Sequence, residues 1–191
     1  MEPTPTDAEL LESSVSDPSL FAVVYERHGV LVRRYVVRRV GVADGDDLAA
    51  EVFARAFRAR GKFRPEYSSA LPWLMGVANN VIADHRRVEG RRLATLERLA
   101  SDASQQVESR DADLTLETVR ALRGLPATHR DALLLLVWGE LSRDEVAAAL
   151  GVPIGTVNSR IARARKRLAS DLALTRRASS TDLRVFGDSN V

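Results

Sequence analysis

The segment 141–168, LSRDEVAAALGVPIGTVNSRIARARKRL, constrains the fold more than any other part of the chain. Ser142 is a suitable N-cap for a short helix, and Glu145 lies in a first turn where the helix dipole favours negative charge. Gly151 predicts a turn, because glycine adopts a positive φ without a steric penalty. Pro153 predicts the start of a second helix, where a missing N–H costs nothing. The pattern indicates a helix-turn-helix.

The second of these helices separates its faces by charge. At about 100° per residue, Ile161, Ala164 and Leu168 share the azimuth of Val157 and form an inward stripe. The opposite face and its flanks carry the polar and basic residues Asn158, Ser159, Arg160, Arg163 and Lys166. Residues 153–168 contain five basic residues and no acidic one. This charge predicts a helix that lies on DNA; a basic surface helix without a partner is the alternative.

Composition excludes several classes of protein. The chain has 191 residues, enough for one or two small domains, and 45% of them are hydrophobic, enough for a real core. The absence of cysteine excludes disulfides and thiolate metal sites. No apolar run approaches the ~20 residues of a membrane helix, and the polar N-terminus is unlike a signal peptide. We therefore expect a cytoplasmic protein without membrane insertion.

Apolar residues at helical spacing predict an all-α fold of two small domains joined by a flexible acidic linker. In the first domain, Asp17 and Pro18 are expected to start a helix, Asp44 to cap a second and Pro72 to open a third. The predicted boundaries are a flexible N-terminus at 1–17, a first domain at 18–95, a linker at 96–115, a second domain at 116–174 and a flexible tail at 175–191.

Three segments, in order, resemble the extracytoplasmic-function sigma factors of bacterial RNA polymerase. Residues 46–58, DDLAAEVFARAFR, resemble the helix with which that family binds core polymerase. Residues 63–87 resemble the loop and helix that melt and read the −10 promoter element. The segment from 121 to 168 resembles the domain that reads the −35 element. The resemblance covers about 18–173 and implies the two-domain fold and a role in promoter recognition and melting.

The resemblance implies that the helix of residues 46–58 docks on the clamp coiled coil of the largest catalytic polymerase subunit. The expected contact residues are Asp46, Asp47, Glu51 and Phe53. Acidic side chains beside an exposed aromatic ring suit a basic partner helix. The alternative is that the acids are solvated or capping residues and that Phe53 belongs to the core.

For the −10 element, the resemblance implies capture of melted bases, which requires hydrogen-bonding groups, an apolar wall and cations on the phosphates. The expected residues are Arg64, Tyr67, Ser68, Ser69, Trp73, Asn80, Arg86, Arg87 and Arg91. Asn80 is expected against a flipped non-template base. Trp73 lies on an apolar stripe and is a core candidate as well. Gly76 stands where the family often has a basic residue, which predicts a weaker phosphate contact.

Asp84 also lies in this segment, although an acid near DNA is unfavourable unless it holds an arginine. Pairing with Arg87 or Arg91 is the expected solution.

For the −35 element, Asn158, Ser159 and Arg163 match the base-reading positions of the family. Arginine reads guanine through O6 and N7, and asparagine reads adenine in a similar way. Asn158 replaces a more usual basic residue, which predicts an unusual −35 sequence. The complete set of expected −35 residues is Thr156, Asn158, Ser159, Arg160, Ala162, Arg163, Lys166 and Arg167. Within this set, Ala162 reaches only a methyl group or a base edge, whereas the remaining cations are expected on phosphates.

The implied partners are core RNA polymerase, promoter DNA and an anti-sigma protein. Free, the two domains are expected to close on each other or on that inhibitor and so to mask both DNA faces. The acidic linker either enters the polymerase cleft as a nucleic-acid mimic or is a solvated spacer. No cofactor, metal site or enzymatic activity is expected.

Two other classes of protein compete with this interpretation. One is a plain helix-turn-helix regulator with an N-terminal helical sensor or dimerisation domain. The other is an enzyme, for example a helical-bundle metalloprotein. His28, His85 and His129 lie in different predicted helices without a Glu-x-x-His pair, and no nucleophile or phosphate loop is found.

Overall fold

The computed structural model describes residues 4–64, 69–99 and 116–185, and the side chains of 4–64, 69–91 and 117–173. Within these ranges the chain forms eight α-helices and no strand, which confirms the all-α fold. The linker sequence from 100 to 115 lies outside the described residues. Among the helices described, none combines the length and apolar character needed to cross a membrane.

The first domain is built from α1 (Asp7–Ser13), α2 (Phe21–Val40), α3 (Val42–Ala59) and α4 (Leu71–Leu99). Helices α2, α3 and α4 pack against one another around a core that includes Tyr35, Val52, Leu74 and Ile82. Asp17 caps a single 3-10 turn, Pro18–Leu20, that leads into α2, as the sequence indicates.

The prediction of a flexible N-terminus is wrong for residues 7–13, which form α1. Thr6 and Glu9 form a capping box, with the Glu9 carboxylate 2.7 Å from the Thr6 backbone nitrogen. Leu10 and Leu11 are buried in the core of the first domain. Burial of these two side chains and a satisfied N-terminus hold a helix of only seven residues, which would be unstable alone.

The start of α3 also differs from the prediction. Gly41 has a φ of 95°, so it ends α2 and allows the chain to begin α3 directly at Val42. Asp44 is therefore not the cap of α3 but lies in its first turn, where its charge favours the helix dipole.

The second domain comprises α5 (Leu116–Arg123), α6 (Ala127–Val137), α7 (Arg143–Leu150) and α8 (Ile154–Val185). Helix α8 contacts each of the other three. The prediction of a flexible tail from residue 175 is wrong up to Val185, because α8 begins at Ile154 and continues for 32 residues to Val185. Residues 186–191 lie outside the described residues.

Candidate nucleic-acid interface

Helices α7 and α8 form the predicted helix-turn-helix. Ser142 and Glu145 make a reciprocal capping box at the start of α7. Gly151 ends α7 in the left-handed conformation, with φ 62° and ψ 37°. Pro153 precedes α8 rather than occupying its first turn: its carbonyl accepts from the backbone N–H groups of Thr156 and Val157 at 2.9 and 3.2 Å. Proline thus acts here through its carbonyl.

The two faces of α8 separate as the charge pattern predicts. Val157, Ile161 and Ala164 are buried, and Leu168 packs against the same core. On the outside, the exposed members of the predicted −35 set are Asn158, Ala162, Arg163, Lys166 and Arg167. Thr156, Ser159 and Arg160 are half-buried. Arg167 Nε lies 3.3 Å from Asp171 Oδ2, so one of these cations already has an acidic neighbour.

Arg143 contacts one of the predicted −35 residues, although the sequence pattern gave no reason to single it out. Its Nη1 donates to Asn158 Oδ1 at 2.9 Å, across the turn between the two helices. The oxygen of the Asn158 amide is therefore engaged within the helix-turn-helix. The contact depends on the packing of α7 on α8, which spacing along one helix does not reveal.

The predicted −10 residues are only partly brought together. Arg64 and Asn80 are exposed, whereas Tyr67 and Ser68 lie outside the described residues. Ser69 Oγ accepts from the Leu71 backbone N–H at 3.1 Å, so this hydroxyl caps the start of α4.

Trp73 belongs more to the core than to an open surface. Its ring is half-buried and packs edge-on against Phe63, with 5.3 Å between the ring centroids. The pair fixes the chain where it enters and leaves the segment between α3 and α4. Trp73 therefore acts on that segment first through packing.

Arg86 is not the exposed phosphate-binding cation that its position in the sequence predicts. Its guanidinium is largely buried and donates to the Arg39 carbonyl at 3.1 Å. Burial, followed by repulsion from Arg39 and Arg130, lowers the pKa of Arg86 to about 10. Arg87 and Arg91 are exposed, and Arg87 pairs with Asp84 as expected.

Asp84 has a second partner, Arg55 of α3, whose Nη1 lies 2.6 Å from Asp84 Oδ2. Hydrogen bonds from Arg55 first, together with the charges of Arg87 and Arg55, lower the pKa of the Asp84 carboxyl. The acid near the predicted DNA path is thus neutralised by arginines of the chain itself.

Phe53 of α3 is not the exposed aromatic ring that the sequence predicts. Phe53 is 7% exposed because it lies beside Val52 on the core side of α3, and this part of the prediction is wrong. Tyr25 of α2 packs edge-on over it, 4.7 Å between ring centroids, and is itself 55% exposed. Tyr25 lies among the apolar residues of α2, so its position in the sequence does not single it out as an exposed ring.

The acidic residues of α3 also differ in availability. Asp46 is bound by Arg33 through two hydrogen bonds of 2.7 and 3.2 Å, and Glu51 is paired with Arg55 and Arg58. Asp47 is exposed, and no partner for its carboxylate occurs among the described residues.

The two domains pack directly on each other, through α4 and α7. Gly76 is buried in α4, and a Cβ added there would lie 2.6 Å from the Ala149 carbonyl oxygen. Only glycine allows this approach, so the basic residue that the family often has at this position would not fit. The absence of a side chain at Gly76 therefore allows α4 and α7 to pack closely.

An ion-pair network lies beside this contact. Arg39 of α2, with a side chain 1% exposed, donates to Asp131 of α6 at 2.5 Å and to the Tyr35 hydroxyl at 2.6 Å. Asn79 Nδ2 donates to the other Asp131 oxygen at 3.4 Å. Arg130 lies close by, and burial followed by repulsion from Arg39 lowers its pKa. A single carboxylate thus faces several buried guanidiniums.

Two more contacts join α2 to the turn after α6. Arg34 pairs with Glu140, a residue with a φ of 56°, and Arg38 lies over the Trp138 ring, 5.9 Å from its centroid. A cleft of about 500 Å³ remains between the domains, lined by Asn80 of α4, by Arg160 of α8 and by the turn of the helix-turn-helix. Asn80 therefore faces the second domain.

The expectation that closure masks both DNA faces is wrong for the −35 face. The outer side of α8 stays exposed at Asn158, Ala162 and Arg163. Helix α7 covers α4 at Gly76 instead. In the closed arrangement Asn80 and Arg160 line the cleft between the domains, whereas Asn158, Ala162 and Arg163 stay exposed.

The comparisons with known proteins agree with this geometry. Residues 24–92 match the family model "Sigma-70 region 2", and residues 115–168 match "Sigma-70, region 4". The ECF RNA polymerase sigma factor SigC of Mycobacterium tuberculosis is 38% identical over 73% of this chain and 76% of that relative. SigD of the same organism is 33% identical over 87% and 83%. The ECF RNA polymerase sigma-E factor of Escherichia coli is 30% identical over 85% and 92%.

A solved structure has a similar fold. CnrH, in complex with the cytosolic domain of CnrY, superimposes with a TM-score of 0.60 and 25% identity, over 88% of this chain and 97% of that one. Sigma factors recognise promoters for RNA polymerase, and they are not an enzyme class. Two matched regions, relatives aligned across both domains and an exposed helix-turn-helix lead to one conclusion: this chain belongs to the family of ECF RNA polymerase sigma factors.

Proposed function

We propose that this sigma factor holds a promoter at two points, with α8 in the −35 major groove and α4 with its preceding loop on the melted −10 strand. The observation that carries the proposal is the division of α8. Its apolar side is buried, whereas Asn158 and Arg163, which suit adenine and guanine, are exposed on the other side.

Arg163 is the base reader that the geometry supports best, because it is exposed and bidentate arginine contacts discriminate strongly. Asn158 shares its oxygen with Arg143, which leaves its amide nitrogen for an acceptor on a base. Arg160, Lys166 and Arg167 are proposed to bind phosphates. Thr156 and Ser159 lie half-buried at the edge of this surface.

On the −10 side, Asn80 is the proposed hydrogen-bonding residue for a flipped base, because it is exposed on α4 and no core contact occupies it. Arg64, Arg87 and Arg91 supply the proposed phosphate contacts. Packing of the second domain on the first limits access to Asn80, because α7 contacts α4 at Gly76, only one helical turn from Asn80.

Core polymerase is proposed to dock on α2 and α3, where α3 offers the uncommitted carboxylate of Asp47 and α2 the exposed ring of Tyr25. Asp47→Arg together with Glu51→Arg is expected to abolish binding to core polymerase in a pull-down. Asp47→Arg alone breaks no ion pair of the described chain, and it is expected to weaken binding as well. Glu12→Arg, an equal charge reversal at an exposed site of α1, is the matched control and is expected to leave affinity unchanged.

Transcription with purified sigma-free core polymerase tests the function as a whole. On a template whose start site has been mapped in cells after overexpression, addition of this chain is expected to start specific transcripts. A plain helix-turn-helix regulator cannot start them, because it supplies neither core binding nor strand capture. Absence of initiation on a mapped promoter would contradict the proposal.

An anti-sigma protein is the proposed regulator. CnrH is similar to this chain and was solved with the cytosolic domain of CnrY, and RpoE of Bartonella quintana, which has the same fold, was solved with the anti-sigma factor NepR. We propose that the chain acts in the cytoplasm, where core polymerase and promoters are found, and that it performs no chemistry of its own.

A further inference from the structure

Helix α1 contacts both ends of the segment that joins α3 to α4. At the far end, the Ala70 backbone N–H donates to Asp7 Oδ2 at 2.7 Å, directly before α4 begins. At the near end, Arg60 Nε donates to the Ser14 carbonyl at 3.1 Å, directly after α3 ends. The segment between these two points, residues 61–70, is called the capture loop below, and the structure describes its two ends, 61–64 and 69–70. The two contacts together are called the α1 clamp.

The contact at the far end, between Asp7 and Ala70, is supported by two further partners of Asp7. Asp7 is 5% exposed, and besides Ala70 its carboxylate contacts Arg27 Nη1 at 2.8 Å and His28 Nε2 at 2.6 Å. A buried carboxylate is costly unless it is paired and hydrogen-bonded. Moving Ala70 away would leave part of this charge unsatisfied, so the start of α4 is held at a fixed distance from α1.

The near contact is also fixed from several sides. Arg60 Nη1 donates to the Phe57 carbonyl at 2.6 Å, and the guanidinium lies 3.8 Å from the centroid of the Phe57 ring. Its acceptor belongs to Ser14, a buried residue whose own hydroxyl donates to the Leu11 carbonyl at 2.6 Å. The guanidinium is therefore held in place at the end of α3.

Helix α1 itself is anchored independently of the loop. Leu10 and Leu11 are buried in the domain core, and the capping box of Thr6 and Glu9 satisfies the helix N-terminus. The helix thus supplies a rigid reference for two contacts that are ten residues apart in the sequence, from Arg60 to Ala70.

We propose that α1 is a positioning element for capture of the −10 strand, with Asp7 and Arg60 as its positioning residues. The proposal rests on the proposed function, in which the capture loop and α4 hold melted bases. Binding energy is lost whenever a loop must be ordered at the moment of binding, so a loop with both ends held in advance binds more tightly. The α1 clamp acts without touching DNA.

The test uses holoenzyme assembled with core polymerase and a fluorescent single strand that carries the non-template −10 sequence of a promoter mapped in cells. Asp7→Asn keeps the shape but removes the charge, and it is expected to weaken strand binding about tenfold. Affinity for core polymerase and for a −35 duplex is expected to stay unchanged. Glu12→Gln removes an exposed charge from the same helix and is the control without effect.

Arg60→Gln provides a second variant, because it releases only the near end of the loop, and a similar loss of strand binding is expected. Asn80→Ala tests the proposed function separately. If Asn80→Ala weakens strand binding but Asp7→Asn and Arg60→Gln do not, the clamp is overturned and the proposed function stays intact. No loss with any of the three would overturn both. Equal losses of strand and core binding in both clamp variants would show a purely structural role and also overturn the clamp.

Discussion

Arg163 and Lys166 lie on the same exposed side of α8 but are expected to contact different parts of DNA. Arg163→Ala is expected to cost about 1–3 kcal/mol at one base pair of the −35 element and to relax the preference there, because a bidentate contact to guanine is lost. Binding to a panel of single-base variants of the −35 duplex measures this. An equal loss on every duplex would contradict base reading.

Lys166→Ala is the matched comparison, since it removes a cation from the same helix. It is expected to weaken binding equally on all sequences and to lower the slope of log K against log salt by about one unit, because one phosphate contact is lost. A salt titration of the same duplexes checks this. A change in base preference would show instead that Lys166 reads sequence.

The ionised carboxylate of Asp7 makes the stability of the first domain depend on pH. Burial would raise the pKa of the Asp7 carboxyl, but hydrogen bonds from the Ala70 amide, Arg27 and His28 outweigh it and lower the pKa below its ordinary value of 3.8. The carboxylate therefore stabilises the fold above pH 3.8, and this contribution disappears as the pH falls through the lowered pKa.

Asp7→Asn is accordingly expected to lower the free energy of unfolding by about 1–3 kcal/mol near neutral pH. Below the lowered pKa the deficit relative to the parent protein should vanish. Thermal unfolding of both proteins followed by circular dichroism from pH 7 to pH 2.5 measures the difference. A deficit that persists unchanged in acid would show that packing, rather than charge, holds α1.

At the level of elements, the short helix α7 depends on its N-terminus. It has only eight residues, and Ser142 and Glu145 satisfy the backbone groups at its start. Ser142→Ala is expected to cost about 0.5–2 kcal/mol of stability, because one cap hydrogen bond is lost. Ser142→Asp, which keeps an acceptor at the cap, should retain most of it. Chemical denaturation compares the two, and an equal loss for both would exclude capping as the cause.

Helix α1 illustrates what local reasoning misses at this level. A helix of seven residues carries too little periodicity to stand out, and its sequence is polar apart from Ala8, Leu10 and Leu11. Its capping residues Thr6 and Glu9 were visible in the sequence, spaced as a capping box requires. What stabilises the helix, however, is burial of Leu10 and Leu11 in the domain core and pairing of Asp7 with Arg27 and His28, 20 and 21 positions away.

At the level of the whole molecule, Gly76 governs how the two domains meet. Gly76→Ala is expected to separate α4 from α7, because the new methyl group would overlap the Ala149 carbonyl, at an energetic cost of about 1–3 kcal/mol to the closed form. The chain has no cysteine, so Ala54→Cys and Ala169→Cys allow specific labelling with a dye pair. Energy transfer should fall in the Gly76→Ala protein.

Gly90→Ala is the control for this experiment. Gly90 lies on the same helix, and an added Cβ there meets nothing within 4 Å. The variant should leave energy transfer unchanged and stabilise α4 by up to about 1 kcal/mol, since alanine is the better helix former. Equal energy transfer in the Gly76→Ala and parent proteins would show that closure does not depend on the missing side chain.

The sequence by itself determined the helical fold and the helix-turn-helix. Caps, turn glycine and apolar spacing are local signals, and they correctly predicted Ser142, Gly151 and the buried stripe from Val157. It also identified the family, since three motifs occur in the right order. These features depend on residues close together in the chain, where helix geometry alone relates one side chain to the next.

Only the tertiary structure decided which candidate side chains are available. Helical spacing does not settle whether Phe53 is exposed or buried, but the packing of α2 on α3 decides that Phe53 is buried and Tyr25 is the exposed ring. The partner of Arg86 is a carbonyl 47 residues away, and the neighbour of Gly76 lies in the other domain. Such contacts join residues far apart in the chain, and no local periodicity encodes which of them meet.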